Sequence, residues 1–282
     1  MRLELTGHHP MHRGDLHISA DSEPGLVIDA RGLGFASPLD LTAAIAIAHD
    51  RARTGTPTAL ILPEDANVTS YLQRMDLLRH LPPGTHVTGP LPAEERLDHS
   101  RRLMEITPLT PRSASAVAQR IGLVATTTLG PRFGALTFKA VGELIDNAVS
   151  HGLSGPGAFI CAQTYTGRTT EAPGLEIALC DTGIGVLEHL RRNPQYAHMT
   201  DHAQALRCAL EPGVTGTGEM RGNGLPDLLA ETGRAGTTRL LLRSGTGIVV
   251  AERDPGTPPM DDTCTTTRVS GTWAQLRVMF PA

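Results

Sequence analysis

The most restrictive feature of the sequence is a run of apolar residues at helical spacing, Leu136, Ala140, Val141, Leu144, Ile145 and Val149, which predicts one helix over residues 132–151. A helix with a single apolar stripe needs a partner surface, and the chain that follows supplies strands. Residues 158–165 and 175–181 read as strands, residues 182–221 as a long irregular stretch, and residues 225–230 as a helix. Three late strands are expected at 238–242, 247–253 and 272–280, after an opening strand from Met104 and a helix over 114–121. This order predicts helices on one face of a mixed, largely antiparallel sheet, a two-layer α/β sandwich.

Upstream, Gly25-Leu-Val-Ile-Asp29 and Thr58-Ala-Leu-Ile-Leu62 read as strands, each followed by a helix. The first helix is alanine-rich and begins after Ser37-Pro38, with the serine as N-cap and the proline as first helical residue. The second carries Val68, Tyr71, Leu72, Met75 and Leu78 at helical spacing. A polar, proline-containing stretch over 82–102 separates the two patterns, so two units are expected, 1–95 and 96–282, and 282 residues are enough for each to bury a core.

A net charge of −4 provides no basic field to attract nucleic acid or anionic lipid. No apolar run approaches the roughly 20 residues of a bilayer span. The four cysteines are widely spaced without a C-x-x-C pair, and with no secretory leader in view reduced thiols and a cytoplasmic protein are the expectation.

Two common phosphate motifs are excluded. A Walker A loop needs Gly-Lys, and the sole lysine, Lys139, follows Phe138; nor does any Gly-x-Gly-x-x-Gly join a strand to a helix. Four other elements carry chemistry. In Glu143-Leu-Ile-Asp-Asn147-Ala-Val-Ser-His151 the residues Glu143, Asn147 and His151 recur every fourth position and share a helix face, so a carboxylate can sit beside a water or hydroxyl while the amide oxygen reaches a hard cation such as magnesium. A solvated polar stripe is the bland alternative. In Cys180-Asp181-Thr-Gly183-Ile-Gly185 an acidic residue ends a strand before two alternating glycines; the carboxylate can accept an adenine amine while the glycines admit the base, or the segment is an ordinary turn. The stretch Gly213-Val-Thr-Gly-Thr-Gly-Glu-Met-Arg221-Gly222-Asn223-Gly224-Leu225 enters a helix whose start favours phosphate, or is a flexible surface loop. Finally, Gly271-Thr272 opens the last strand and offers a hydroxyl to the base or to a water held by Asp181.

In order and spacing these four elements resemble the N, G1 and G2 boxes and closing Gly-Thr motif of the superfamily that unites gyrase B, the heat-shock chaperone ATPases and the histidine kinases, over residues 103–280. The resemblance implies a Bergerat-type fold that binds ATP with magnesium. Asn147 would coordinate the metal and Asp181 would recognise adenine, supported by Thr272. Gly183 and Gly185 would line the base pocket. His151 and Arg221 belong to the implied nucleotide site, and Gly222, Asn223, Gly224 and Leu225 to its phosphate end, beneath a lid over 187–221. Glu143 matches the general base of the ATPases and of the anti-sigma serine kinases. No helical hairpin with an acceptor histidine precedes the domain, and Gly142 stands where many histidine kinases carry histidine, which argues against an ordinary sensor kinase.

The first unit is similar to the STAS domain of sulfate transporters and anti-sigma factor antagonists, in element order and in Asn67-Val-Thr-Ser-Tyr-Leu-Gln-Arg-Met75. Where that family carries a phosphorylatable serine, this chain has Phe35-Ala-Ser37-Pro38, and Ser37 reads as a helix cap. His8, His9, His12 and His17 read as a solvated N-terminal group rather than a metal site. The expected function is a Mg-ATP-dependent regulatory protein acting on water or on a partner protein; a non-catalytic ATP switch and an anti-sigma-like scaffold are the alternatives.

Overall fold

The computed structural model describes residues 1–7, 16–19, 25–91, 101–152, 157–167, 172–217 and 222–280. It is a mixed α/β structure built on two five-stranded sheets. In the first, β1 (Arg2–Glu4) pairs antiparallel with β2 (His17–Ser19) and parallel with β3 (Leu26–Asp29), which continues in parallel to β4 (Thr58–Ile61) and β5 (His86–Thr88). The three-residue strands β1, β2 and β5 are too short to show a period, which is why the sequence reading passes over them. Helix α1 (Pro38–Arg53) joins β3 to β4, and α2 (Ala66–Arg74) with α3 (Leu77–His80) joins β4 to β5. The expected second helix is thus broken, with Asp76 between its halves in the left-handed region at φ 64°.

Ser37 caps α1 as the sequence predicts. Its Oγ accepts from the Asp40 N–H at 3.3 Å, and Asp40 Oδ2 accepts in return from the Ser37 N–H at 2.8 Å.

The second sheet is antiparallel throughout, in the order β6 (Leu103–Leu109), β7 (Ala158–Thr166), β8 (Pro173–Asp181), β10 (Met260–Met279), β9 (Thr237–Arg253). Its helices are α4 (Ala114–Leu129), α5 (Pro131–Asn147), α6 (Gly185–Leu190), α7 (His202–Cys208) and α8 (Gly224–Ala235). Two expectations need correction here. The three late strands are two, because β9 continues, with a register irregularity, through residues 243–246, the interval expected to separate two strands, and its partner begins at Met260. The glycines at 245 and 247 serve packing, since a Cβ on either would lie 1.9 Å and 2.6 Å from atoms of His202 and Ala203 on α7. The irregular stretch over 182–221 holds α6, a 3-10 turn (Pro194–Tyr196) and α7. Leu187, Leu190, Met199 and Ala205 give it a small core of its own, so the part of the expected lid that is described is a packed helical cap.

Strands β7 and β8 are buried on both sides. Leu175, Ile177 and Leu179 lie on the face of α4 and α5, with α8 packed on α5 and β9, while Ala178 and Cys180 face α1. The second sheet and α4, α5 and α8 make the two layers expected of the second unit, and the first unit adds two more on the other face, in the order sheet, α1 to α3, sheet, then α4, α5 and α8. Helix α1 lies between the sheets with Pro38 to Ala48 entirely buried, which an alanine-rich helix without a polar stripe allows. Met75 O accepts from the Ile106 N–H at 3.1 Å, Arg74 pairs with Glu105, and Tyr71 hydrogen-bonds Gln163 across the same junction. The boundary near residue 95 separates two sheets but not two cores.

Candidate functional site

Helix α5 carries Glu143 and Asn147 to the end of β8 where Asp181 lies, and then widens into a π-helical turn (Ala148–Gly152). The wider turn alters the helical pitch beyond Asn147. The same turn brings Ser150 to the site. The side chain of His151 and the whole of Arg221 lie outside the described residues.

Asp181 ends β8 with 3 % of its surface exposed. Its Oδ1 accepts from the Gly183 N–H at 2.7 Å, and the Thr272 N–H also donates to the carboxylate. Burial nevertheless dominates and pushes its pKa up to about 6. Thr272 thus supports Asp181 through its main chain. The turns that deliver both donors are held by one residue absent from the sequence reading, Ser244 on β9. Its Oγ donates to Gly271 O at 2.8 Å and accepts from the Val186 N–H at 3.0 Å. Gly271, at φ +70°, leaves no room for a side chain, because a Cβ there would stand 2.1 Å from Asp181 O.

At the glycine-rich segment the Gly213 N–H is shared between Gly222 O at 3.1 Å and Asn223 Oδ1 at 2.9 Å, closing the neck of a loop. Asn193 Nδ2 donates to Thr215 O at 3.0 Å and ties that loop to the helical cap. The Asn223 side chain is therefore engaged in shaping the loop. Residues 218–221 are not among those described.

These elements meet in a cleft of about 570 Å³. Glu143, Asn147, Asp181, Gly185, Gly222, Asn223, Gly224, Leu225 and Thr272 all line it; Gly183 does not, and acts through its N–H on Asp181. Leu179, Leu242, Ala274, Val186 and Leu190 supply apolar wall. Sequence reasoning missed Asp146, Asp227 and His189 as lining residues; the first two follow from helical spacing once α5 and α8 are known to face each other.

Among the described lining residues the carboxylates are Glu143, Asp146, Asp181 and Asp227, and His189 is the only basic side chain. Lys139 pairs with Glu231. Burial, followed by the charge of Asp146, raises the pKa of Glu143, while Lys139 acts the other way. Among the described residues no three His, Cys, Asp or Glu side chains converge to hold a metal ion. No helix among them is long and apolar enough to cross a membrane. None of the four cysteines is in a disulfide, and Cys161 and Cys180 are buried. No protein-family model matches the chain, and no curated protein matches it in sequence.

Proposed function

We propose that the chain is a Mg-ATP-binding regulatory protein that hydrolyses ATP or passes its γ-phosphate to a partner protein. The observation that carries this reading is the meeting, in one cleft, of four motifs spread over 130 residues of sequence from Glu143 to Thr272. On this reading residues 96–282 form a Bergerat-type, histidine-kinase-like domain and residues 1–95 a STAS-like layer.

The chemistry of the lining fits the ligand. Asp181, ionised at neutral pH, accepts the exocyclic amine of adenine and repels the carbonyl that guanine presents in its place. The apolar wall of Leu179, Val186, Leu190, Leu242 and Ala274 takes the ring faces. Main-chain N–H groups at the start of α8, with the positive end of its helix dipole, meet the phosphates. With four carboxylates and one histidine among the described lining residues, a triphosphate enters with its charge screened. Magnesium, held by the Asn147 side-chain oxygen with phosphate and water oxygens completing its shell, would supply that screening. Glu143, its proton affinity raised by burial, takes the proton of the attacking hydroxyl, whether water or a partner's side chain.

Calorimetric titration with ATP in the presence of magnesium should give a saturable heat that EDTA weakens. Asp181→Ala should lower the affinity by about 10-fold to 100-fold, the worth of a hydrogen bond to a charged group. Glu143→Ala should retain binding while phosphate release or transfer is lost. An unliganded titration curve for the wild type would end this reading, and equal turnover by Glu143→Ala would remove Glu143 as the base.

A further inference from the structure

We infer that Gly224 is a positioning residue for Glu143: the missing side chain at the first position of α8 makes the slot in which the Glu143 carboxylate rests. The inference takes its chemistry from the role given to Glu143 in the proposed function.

Glycine is the poorer helix former, and at Gly224 neither the backbone nor a turn calls for it, since its φ lies outside the left-handed region. What calls for it is space. A Cβ on residue 224 would stand 2.3 Å from Glu143 Oε2, 3.2 Å from its Cδ and 3.7 Å from its Cβ. All three atoms belong to one flexible side chain, so an alanine would fit α8 and only Glu143 would have to give way. The carboxylate thus lies over the first residue of the helix, where the helix dipole favours negative charge, next to the glycines at the neck of the loop. The charges around it do not fix it there. Lys139 draws it along α5, whereas Asp146 on the same helix and Asp227 and Glu231 on α8 repel it. Its resting place is set by the volume that Gly224 leaves open.

The test uses the full chain with Gly224→Ala, Glu143→Asp and the double variant. For each, the Mg-ATP dissociation constant, the turnover number for phosphate release or transfer, and the Tm are measured. Gly224→Ala should move the carboxylate by roughly 1 Å and lower kcat by about 100-fold. The dissociation constant should change far less than kcat, since alanine keeps the main-chain N–H at the start of α8, the mark of an interaction that serves the reaction more than the bound ground state. The Tm should hold or rise, because alanine favours the helix. Aspartate at 143 is one methylene shorter and vacates the contested volume. In the double variant the second substitution should therefore cost far less than the product of the two single losses. Unchanged kcat in Gly224→Ala, multiplying losses in the double variant, or a sharp fall in Tm would each overturn the inference. So would a wild type that binds ATP without turning it over, with nucleotide binding left intact. A wild type that binds no ATP removes both the inference and the nucleotide reading beneath it.

Discussion

Asp181 combines near-complete burial with an ionisable group, and the two pull against each other. Two main-chain donors stabilise the carboxylate, but the loss of water outweighs them and lifts its pKa from 3.8 to about 6. Between those pH values the folded protein holds a proton that the unfolded chain releases, so stability falls as pH rises through the window. The full cost, about 3 kcal/mol for a shift of this size, stands above pH 6. Asp181→Asn buries no charge while keeping an oxygen for the Gly183 N–H. Urea unfolding at pH 5 and pH 7.5 should show the wild type losing stability relative to Asp181→Asn at the higher pH; parallel behaviour of the two proteins would contradict this account. The carboxylate was legible in the sequence because an acidic residue ended a strand before two glycines. Ser244 was not: it sits in the interval expected to separate two strands, and its hydrogen bonds go to residues 58 and 27 positions away.

Capping chemistry is local, and the start of α1 could be read directly from Ser37-Pro38. The Ser37–Asp40 capping box is buried, so Ser37→Ala should cost about 1–2 kcal/mol in denaturant unfolding, at the upper end for such caps. Loss of less than half of that would mean the cap is redundant. Ser37 is 6 % exposed, in keeping with a capping role for its hydroxyl. The long helix was equally plain, since α5 occupies Pro131–Asn147 within the predicted 132–151 apart from its first residue. Its π-helical end was not, because nothing in the composition of Ala-Val-Ser-His-Gly separates a wide turn from a regular one. Strand β10 escaped notice over its first half for a different reason. Residues 260–268 are almost all exposed, so no face of the ribbon demands apolar residues and the period-two signal is missing.

Taken together, the four layers are a single packed unit. Leu41, Ile45 and Ala48 of α1 share one continuous apolar cluster with Phe159, Cys161, Cys180 and Trp273 of the second sheet. Separating the layers would uncover a helix with eleven consecutive buried residues, Pro38 to Ala48, each large apolar side chain losing about 1.5–3 kcal/mol of burial. Calorimetric heating of the full chain should therefore give one cooperative transition, and residues 1–95 expressed alone should fail to fold; two resolved transitions would contradict the shared core. This bears on the scaffold alternative, in which the first unit works unaided. Helix α1 also packs against the strand that ends in Asp181, on the face opposite the cleft, with Thr42 Oγ1 3.3 Å from Cys180 Sγ. What could be read from the chain alone had a short-range cause: helical stripes, the cap of α1, the end of β8, and the four motifs in their order. What waited on the fold was every property that depends on residues distant in sequence, namely the shared core, the packed cap, the steric slot at Gly224 and the grip of Ser244. Periodicity reports that a face will be buried, but an apolar face fits any apolar partner of matching shape, and the choice among partners is made only when the whole core packs.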